Sequence, residues 1–204
     1  MTPRFIACRS IRLLSRASGF SGTNDGRWLL PTFVTQRDLD HQRGTNAKVL
    51  AYLLQPENDF YSVTHENGKR QTTHEFFRSI VTQQPEIRVL LDVGAQIPDF
   101  SNSQVATAWL DITRVAAGAI YFDENDELAV LARNGVARLL SSSPLSQQLD
   151  RCVVYLDHAH TRGTDLRLPV GTPAAVTLGL KVTKDALVQG SFQRCDPIAK
   201  CHGL

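Results

Sequence analysis

The sequence predicts an α/β fold in which helices cover both faces of a mostly parallel sheet, giving three layers. From residue 87 onward, short apolar runs rich in β-branched residues alternate with helical patterns. Such alternation is typical of strand–helix–strand units, whose strands run parallel. The composition, 42% hydrophobic and 21% charged in 204 residues, is that of an ordinary globular chain.

Charge and cysteine content narrow the classes of function. A formal net charge of +2 indicates no strong bias toward nucleic acid or membrane surfaces. No apolar run approaches the roughly 18 residues that a membrane span needs. The cysteines are widely scattered, which argues against a disulfide framework and for a reducing, cytoplasmic or nuclear compartment. They are Cys8, Cys152, Cys195 and Cys201.

The sequence divides into four parts. Residues 1–17 contain four arginines and no acidic residue, which predicts a basic, disordered leader, with a mitochondrial presequence as the alternative. Residues 18–44 are a loop-rich lead-in, and residues 45–189 form the α/β domain. Residues 190–204 are a divergent tail without a clear local pattern.

Helix signals dominate the first part of the α/β domain. Apolar residues at helical spacing predict a helix over residues 46–54, and Asn67-Gly68 predicts a turn. Thr72 and Glu75 form a capping-box pattern ahead of an amphipathic helix that Pro85 ends.

Strands and helices then alternate to the end of the domain. Ser101 and Gln104 form a second capping box. Thr183 is expected to cap a final helix through Gln189. The predicted strands cover residues 87–93, 119–122, 128–131, 152–156 and 174–178, and short helices are predicted near residues 136–140 and 145–149.

The most polar part of the domain follows the strand over residues 152–156. Its polar residues are Asp157, His158, His160, Arg162, Gly163, Thr164 and Asp165. In open α/β sheets, ligands bind beyond the carboxyl ends of strands. Gly163 lets backbone N–H groups approach a ligand, and Arg162 can neutralise phosphate charge. Thr164 and Asp165 can serve a hydroxyl, a metal-bound water or a neighbouring arginine. A polar turn held by its own side chains is an equally good interpretation.

Other chemistries have weaker signals. His158 and His160 point the same way on an extended chain and, with Asp157, suit zinc, but no further ligand is identifiable, so structural histidines are the preferred interpretation. Cys152 begins an apolar strand, where a thiol is normally inert, and Cys195 and Cys201 match no standard zinc motif. A Gly-x-x-x-x-Gly-Lys-Ser/Thr phosphate loop does not occur in the sequence.

Long motifs give the chain a family resemblance. They read Gly-Phe-Ser-Gly-Thr-Asn-Asp at residues 19–25, Arg-Gly-Thr-Asn-Ala-Lys-Val-Leu at 43–50, Tyr-Leu-Leu-Gln-Pro-Glu-Asn at 52–58, Pro-Glu-Ile-Arg-Val-Leu-Leu-Asp-Val-Gly-Ala-Gln at 85–96, and residues 152–169. Over residues 18–189 the chain resembles a family of large fungal proteins classed as ubiquitinyl hydrolases. This resemblance implies thiol-dependent removal of ubiquitin from conjugates, with ubiquitin or ubiquitinated proteins as partners. No catalytic cysteine is identifiable from it.

The motif order also resembles the second motor domain of superfamily 2 helicases and of the SecA translocation ATPase. Residues 19–25 are similar to the motif that bridges two motor domains, and residues 187–189 to the lead-in of an arginine-bearing final motif. The resemblance implies a RecA-like fold, incomplete here, with ATP and Mg bound by the intact parent protein. The residues it assigns to nucleotide or substrate coupling are Asp157, His160, Arg162, Gly163, Thr164, Asp165 and Gln189.

Two departures from the family pattern stand out. The family has Asp-Glu-Ala-His where this chain has Asp-His-Ala-His at residues 157–160, so one acidic side chain is lost. After Gln189 an arginine-rich helix is replaced by an unrelated sequence. We therefore expect a fragment that is catalytically silent alone and needs the first motor domain of its parent, or a non-catalytic remnant.

Overall fold

The computed structural model describes residues 4–8, 54, 58–65, 67, 69–161, 164, 166, 168–169, 171–179, 182 and 187. Residues 4–8, 59 and 60 are described by their backbone alone. No helix in these ranges is long and apolar enough to cross a membrane. The helix predicted over residues 46–54 and the final helix from Thr183 to Gln189 lie outside the described residues, apart from Leu54 and Leu187.

One mixed sheet organises the described residues, with the spatial strand order β2-β1-β8-β3-β7-β4-β5-β6. The strands are β1 (Arg4–Cys8), β2 (Asn58–Ser62), β3 (Val89–Leu91), β4 (Gly118–Phe122), β5 (Leu128–Ala132), β6 (Ala137–Leu139), β7 (Cys152–Leu156) and β8 (Ala174–Leu178). The α/β class is confirmed, but "mostly parallel" describes only the central strands β8, β3, β7 and β4. The strands on either side pair antiparallel. On one side the reason is local, because the turns that join β4, β5 and β6 are too short for a crossover.

Both capping boxes predicted from the sequence are present. Helix α1 (Thr73–Val81) begins after Thr72, whose hydroxyl accepts from the Glu75 backbone N–H while the Glu75 carboxylate accepts from the Thr72 backbone. Helix α2 (Asn102–Ile112) begins in the same way at Ser101, with Gln104 as its partner. Each box satisfies N–H groups that the first helical turn cannot pair internally.

Of the two short helices predicted near residues 136–140 and 145–149, the first is wrong and the second is present only as 3-10 helix. The first region forms strand β6 and a 3-10 turn (Leu140–Ser142), and the second forms two further 3-10 turns (Pro144–Gln147 and Leu149–Arg151). Gly135, at φ 80°, makes the hairpin turn that returns the chain as an antiparallel strand. Short apolar runs fit a strand as well as a helix, and here pairing with β5 decides.

The sheet has an apolar layer on each face. Alternate side chains of the central strands, such as Leu90 and Tyr155, pack with both α-helices around Phe77 and Trp109. The opposite side chains pack with the 3-10 turns and with segments after β7 and β8; they include Val89, Val154 and Val176. The sheet is therefore covered by α-helices on one face and by 3-10 turns and connecting segments on the other, an arrangement compatible with three layers.

The amino-terminal segment differs from the expectation of a disordered leader. Arg4–Cys8 is a strand that pairs antiparallel with both β2 and β8. Its apolar run, Phe-Ile-Ala-Cys at residues 5–8, is typical of a strand. The mitochondrial presequence stays a prediction.

Candidate functional site at the carboxyl edge of the parallel strands

The carboxyl ends of the four parallel strands meet at one edge of the sheet. There β3 is followed by Asp92 and Gly94, and β7 is followed by Asp157 and His158. After β3 the chain enters the layer that contains α2, whereas after β7 it enters the opposite layer through Leu166. Ligands in α/β sheets bind where neighbouring connections diverge in this way. We call this part of the structure the carboxyl edge.

Asp92 is the most buried charged side chain of the carboxyl edge, with 3% of its surface exposed. Its Oδ1 accepts from Thr177 Oγ1 at 2.5 Å and from the Gln96 N–H at 2.7 Å, and its Oδ2 accepts from the Ile97 N–H at 3.2 Å. Burial raises the pKa of Asp92, and the hydrogen bond from Thr177 opposes that increase. The carboxyl group thus fixes the loop after β3 to strand β8.

Two glycines allow the ends of β3 and β8 to approach closely. A Cβ atom on Gly94 would lie 2.6 Å from the Gly179 nitrogen, and one on Gly179 would lie 2.7 Å from the Gly94 oxygen. The Gly94 N–H also donates to Thr177 Oγ1 at 3.0 Å. Thr177 therefore connects the loop backbone to the Asp92 carboxylate, and neither glycine can carry a side chain without displacing backbone.

The imidazole of His160 has a contact at each ring nitrogen and another on its ring face. Its Nδ1 lies 2.5 Å from Asp157 Oδ1, and its Nε2 lies 3.1 Å from Asp126 Oδ1 at the tip of the β4–β5 hairpin. Its ring stacks on Phe122 with centroids 3.9 Å apart and planes 8° apart. Both ring nitrogens donate hydrogen bonds only when the imidazole is doubly protonated. The sequence predicted Asp157 and His160 as site residues, and the structure brings them into direct contact.

His158 lies two residues earlier and has different surroundings. Its Nδ1 lies 2.8 Å from the carbonyl oxygen of Val93, the residue after Asp92, and its side chain is exposed. The contact joins the ends of β3 and β7. The two histidines therefore have separate partners.

The threonines of the predicted coupling loop bond to their own backbone. Thr161 Oγ1 donates to the His158 carbonyl at 3.2 Å, and Thr164 Oγ1 donates to the His160 carbonyl at 2.6 Å. Both side chains are buried. These bonds match the alternative interpretation of a polar turn held by its own side chains. The predicted site residues Arg162, Gly163, Asp165 and Gln189 lie outside the described residues.

Metal ligation has no support among the residues that the structure describes. They contain no group of three or more His, Cys, Asp or Glu side chains arranged to hold a metal ion. Asp157, His158 and His160, the zinc candidates of the sequence, do not converge, because the ring nitrogens contact Val93, Asp157 and Asp126 instead.

Cys152 lies at the opposite, amino end of β7. Its side chain is buried, and burial together with Asp150 raises the thiol pKa to about 11. It borders a cleft of about 240 Å³ whose wall also contains Leu149, Leu168 and Pro173. Arg88 at that cleft donates to the Asp150 carbonyl at 2.7 Å. A buried, protonated thiol is inert packing, as the sequence predicts.

Sequence reasoning missed three residues of the carboxyl edge as site residues: Asp92, Thr177 and Asp126. Asp92 had a detectable signal, because it follows an apolar strand as Asp157 does. Asp126 ends the acidic run Asp-Glu-Asn-Asp at residues 123–126, but its contact with His160 spans 34 residues. Such a contact depends on β4 pairing with β7. Local patterns do not contain that information.

Comparisons with protein-family models, with curated proteins and with solved structures find no match to this chain. The family resemblance therefore stays a prediction from the motifs.

Proposed function

We propose that this chain is the nucleotide-coupling half of a RecA-like, ATP-driven motor module within a protein of the ubiquitinyl hydrolase family. In this proposal the carboxyl edge is one side of a shared site. The parent's first motor domain supplies the phosphate-binding loop, ATP and Mg. The chain alone is catalytically silent.

One observation carries the proposal. Titratable and hydroxyl side chains from β3, β7 and β8 converge at the carboxyl edge, where the connections of adjacent parallel strands diverge to opposite faces. The loop predicted to couple nucleotide to substrate, residues 160–165, leaves this same edge. Its start is held by the bonds of His160 to Asp157 and Asp126. Because electrostatic stabilisation of a transferring phosphoryl group needs preorganised charges, these bonds together with Arg162 and Asp165 in the loop sequence support the proposal.

Ubiquitin-conjugate hydrolysis is the second candidate, and it rests on the family motifs. The thiol of Cys152 gives it no support, because a nucleophilic cysteine needs thiolate character and a base within reach. If the parent protein cleaves ubiquitin conjugates, a cysteine other than Cys152 attacks the bond. The motor segment would then move or unfold the substrate for that reaction.

ATP hydrolysis by the intact parent protein tests the motor proposal. Replacing Arg162 or Asp165 with alanine is expected to lower steady-state ATP turnover by about 10²-fold, the usual loss when one charge-stabilising group is removed. Arg138→Ala, on the exposed edge strand β6, is the matched control and should leave turnover unchanged. A parent protein without ATPase activity, or one unaffected by either loop variant, would contradict the proposal.

Thiol dependence separates the two candidates. The parent protein is treated with ubiquitin that carries an electrophile at its carboxyl terminus, and the modified cysteine is identified by mass spectrometry. Labelling of a cysteine other than Cys152 supports a family peptidase with a separate motor segment. Labelling of Cys152 would contradict the inert role of that thiol. In a second measurement, ubiquitin-conjugate cleavage is followed before and after alkylation of the thiols, and cleavage that survives alkylation would exclude thiol catalysis.

A further inference from the structure

The two histidines of the carboxyl edge differ in what their ring nitrogens contact. His160 has both nitrogens within hydrogen-bonding distance of carboxylates, and only 18% of its side-chain surface is exposed. His158 contacts one backbone carbonyl through Nδ1, and its side chain is exposed. Within the described part of the chain, no hydrogen bond to Nε2 of His158 is present. One ring is half-buried with both nitrogens engaged, and the other is exposed with Nε2 open to a ligand.

The contact with Val93 determines the tautomer of His158. A carbonyl oxygen only accepts hydrogen bonds, so the proton must be on Nδ1. In the neutral ring the lone pair is then on Nε2, which has no partner in the described residues. A backbone carbonyl on Nδ1 is a common device for orienting a functional imidazole.

The position of His158 adds to this argument. Its contact with Val93 spans the ends of β3 and β7, the adjacent strands whose connections diverge to opposite faces. Burial raises the pKa of Asp92, and the charge of a protonated His158 is the smallest of the effects that oppose this increase. The buried carboxyl group is therefore placed to interact with charge that develops on the imidazole.

We propose that His158 is the proton-accepting residue of the carboxyl edge and that His160 only positions the loop beside it. The Nε2 lone pair forms a bond to the proton of a water or ligand hydroxyl. The O–H bond breaks, and its electron pair stays on oxygen. The imidazole becomes a cation near Asp92. This deepens the proposed function by assigning the proton transfer in that shared site to His158.

Carbethoxylation of the chain by diethyl pyrocarbonate tests the accessibility of Nε2. The reagent acylates unprotonated imidazole nitrogens, and peptide mass spectrometry resolves each histidine. We expect His158 to react several-fold faster than His160 and at a rate similar to His74, an exposed histidine on α1. Equal rates, or faster reaction of His160, would overturn the assignment.

The tautomer of His158 is a second test. Long-range ¹H–¹⁵N spectra should show the proton on Nδ1, and a proton on Nε2 in the neutral ring would also overturn the assignment.

Kinetics of the intact parent protein test the proton transfer itself. His158→Gln should lower kcat for ATP hydrolysis by about 10²-fold or more and remove the acid limb of the pH–rate profile, with ADP affinity unchanged. His74→Gln is the control. Retained kcat and pH profile in His158→Gln would refute the inference while leaving the motor proposal intact. A wild-type parent without ATPase activity would refute the motor proposal, and the carbethoxylation rates would still decide the accessibility of His158.

Discussion

The two ends of strands β3 and β7 differ sharply in their chemistry. At the carboxyl edge, hydrogen bonds of Asp92, His158 and His160 link three strands and the β4–β5 hairpin. At the amino end, Cys152 lies among apolar side chains with its pKa raised to about 11. The same strands therefore carry a polar network at one end and unreactive packing at the other. Among the described residues of these two strands, the polar side chains that could take part in chemistry therefore lie at the carboxyl edge.

Removing the Asp92 carboxyl group should have the largest effect on stability. Asp92→Ala leaves the Thr177 hydroxyl and the N–H groups of Gln96 and Ile97 without their acceptor. We expect the free energy of unfolding in urea to fall by about 2–4 kcal/mol, since each buried donor left unpaired costs about 1–3 kcal/mol. Asp99→Ala, at an exposed position, should change it by less than about 0.5 kcal/mol. If both variants lose the same free energy of unfolding, the hydrogen bonds of Asp92 do not stabilise the fold.

The thiol of Cys152 should be protected in the folded chain. A pKa of about 11, against 9.0 for an ordinary thiol, lowers the thiolate fraction at neutral pH about a hundredfold. Alkylation of Cys152 in the native chain should therefore be at least that much slower than in urea, as followed by peptide mass spectrometry. Comparable rates would show that the amino end is open and reactive.

Thr177→Val should have an intermediate effect. It keeps the side-chain shape but removes the hydroxyl that donates to Asp92 and accepts from the Gly94 N–H. The expected loss is about 1–3 kcal/mol in the free energy of unfolding. Thr177→Ser retains the hydroxyl and is the matched control. A loss as large in Thr177→Ser would assign the effect to packing.

The pH dependence of stability should report on Asp92. Because the folded pKa of Asp92 is raised above 3.8, its contribution to stability is fully present below that pH and is lost as the pH rises through the folded pKa. The stability of the wild type relative to Asp92→Asn should therefore be greatest near pH 3.8 or below and decrease at higher pH. If the stability difference between wild type and Asp92→Asn instead increases with pH, the pKa of Asp92 is lowered by folding and not raised.

The smallest effect is expected at the stacked pair. Phe122→Leu removes the ring that covers His160 and should lower stability by about 0.5–1.5 kcal/mol, the usual contribution of an aromatic pair. Carbethoxylation of His160 should become faster while that of His158 is unchanged. Faster reaction of both histidines would indicate that the whole carboxyl edge has loosened.

Local signals predicted the elements of this fold well. Thr72 and Ser101 start helices because their hydroxyl groups and the residues three positions later satisfy backbone N–H groups within one turn. The Cys152 strand and the Ala174 strand were predicted with their observed bounds. The helix predicted near residues 136–140 was wrong, because pairing with strand β5 decided between equal local alternatives.

The candidate site was predicted only where it is contiguous in sequence. Asp157 and His160 were identified because they follow one strand. Asp92 and Thr177 are 85 residues apart, and only the parallel pairing of β3 with β8 brings their side chains together. The sequence pattern around either residue does not predict that pairing. The motifs do indicate which strand ends carry polar groups, and the sheet order decides which of them meet.

The stacked and doubly bonded ring of His160 has a mechanical consequence. It joins the turn after β7 to the tip of the β4–β5 hairpin at Asp126, and that hairpin continues into the exposed edge strand β6. Through these contacts the turn after β7 and the hairpin tip share one imidazole, so a displacement of the hairpin tip would change the surroundings of His160.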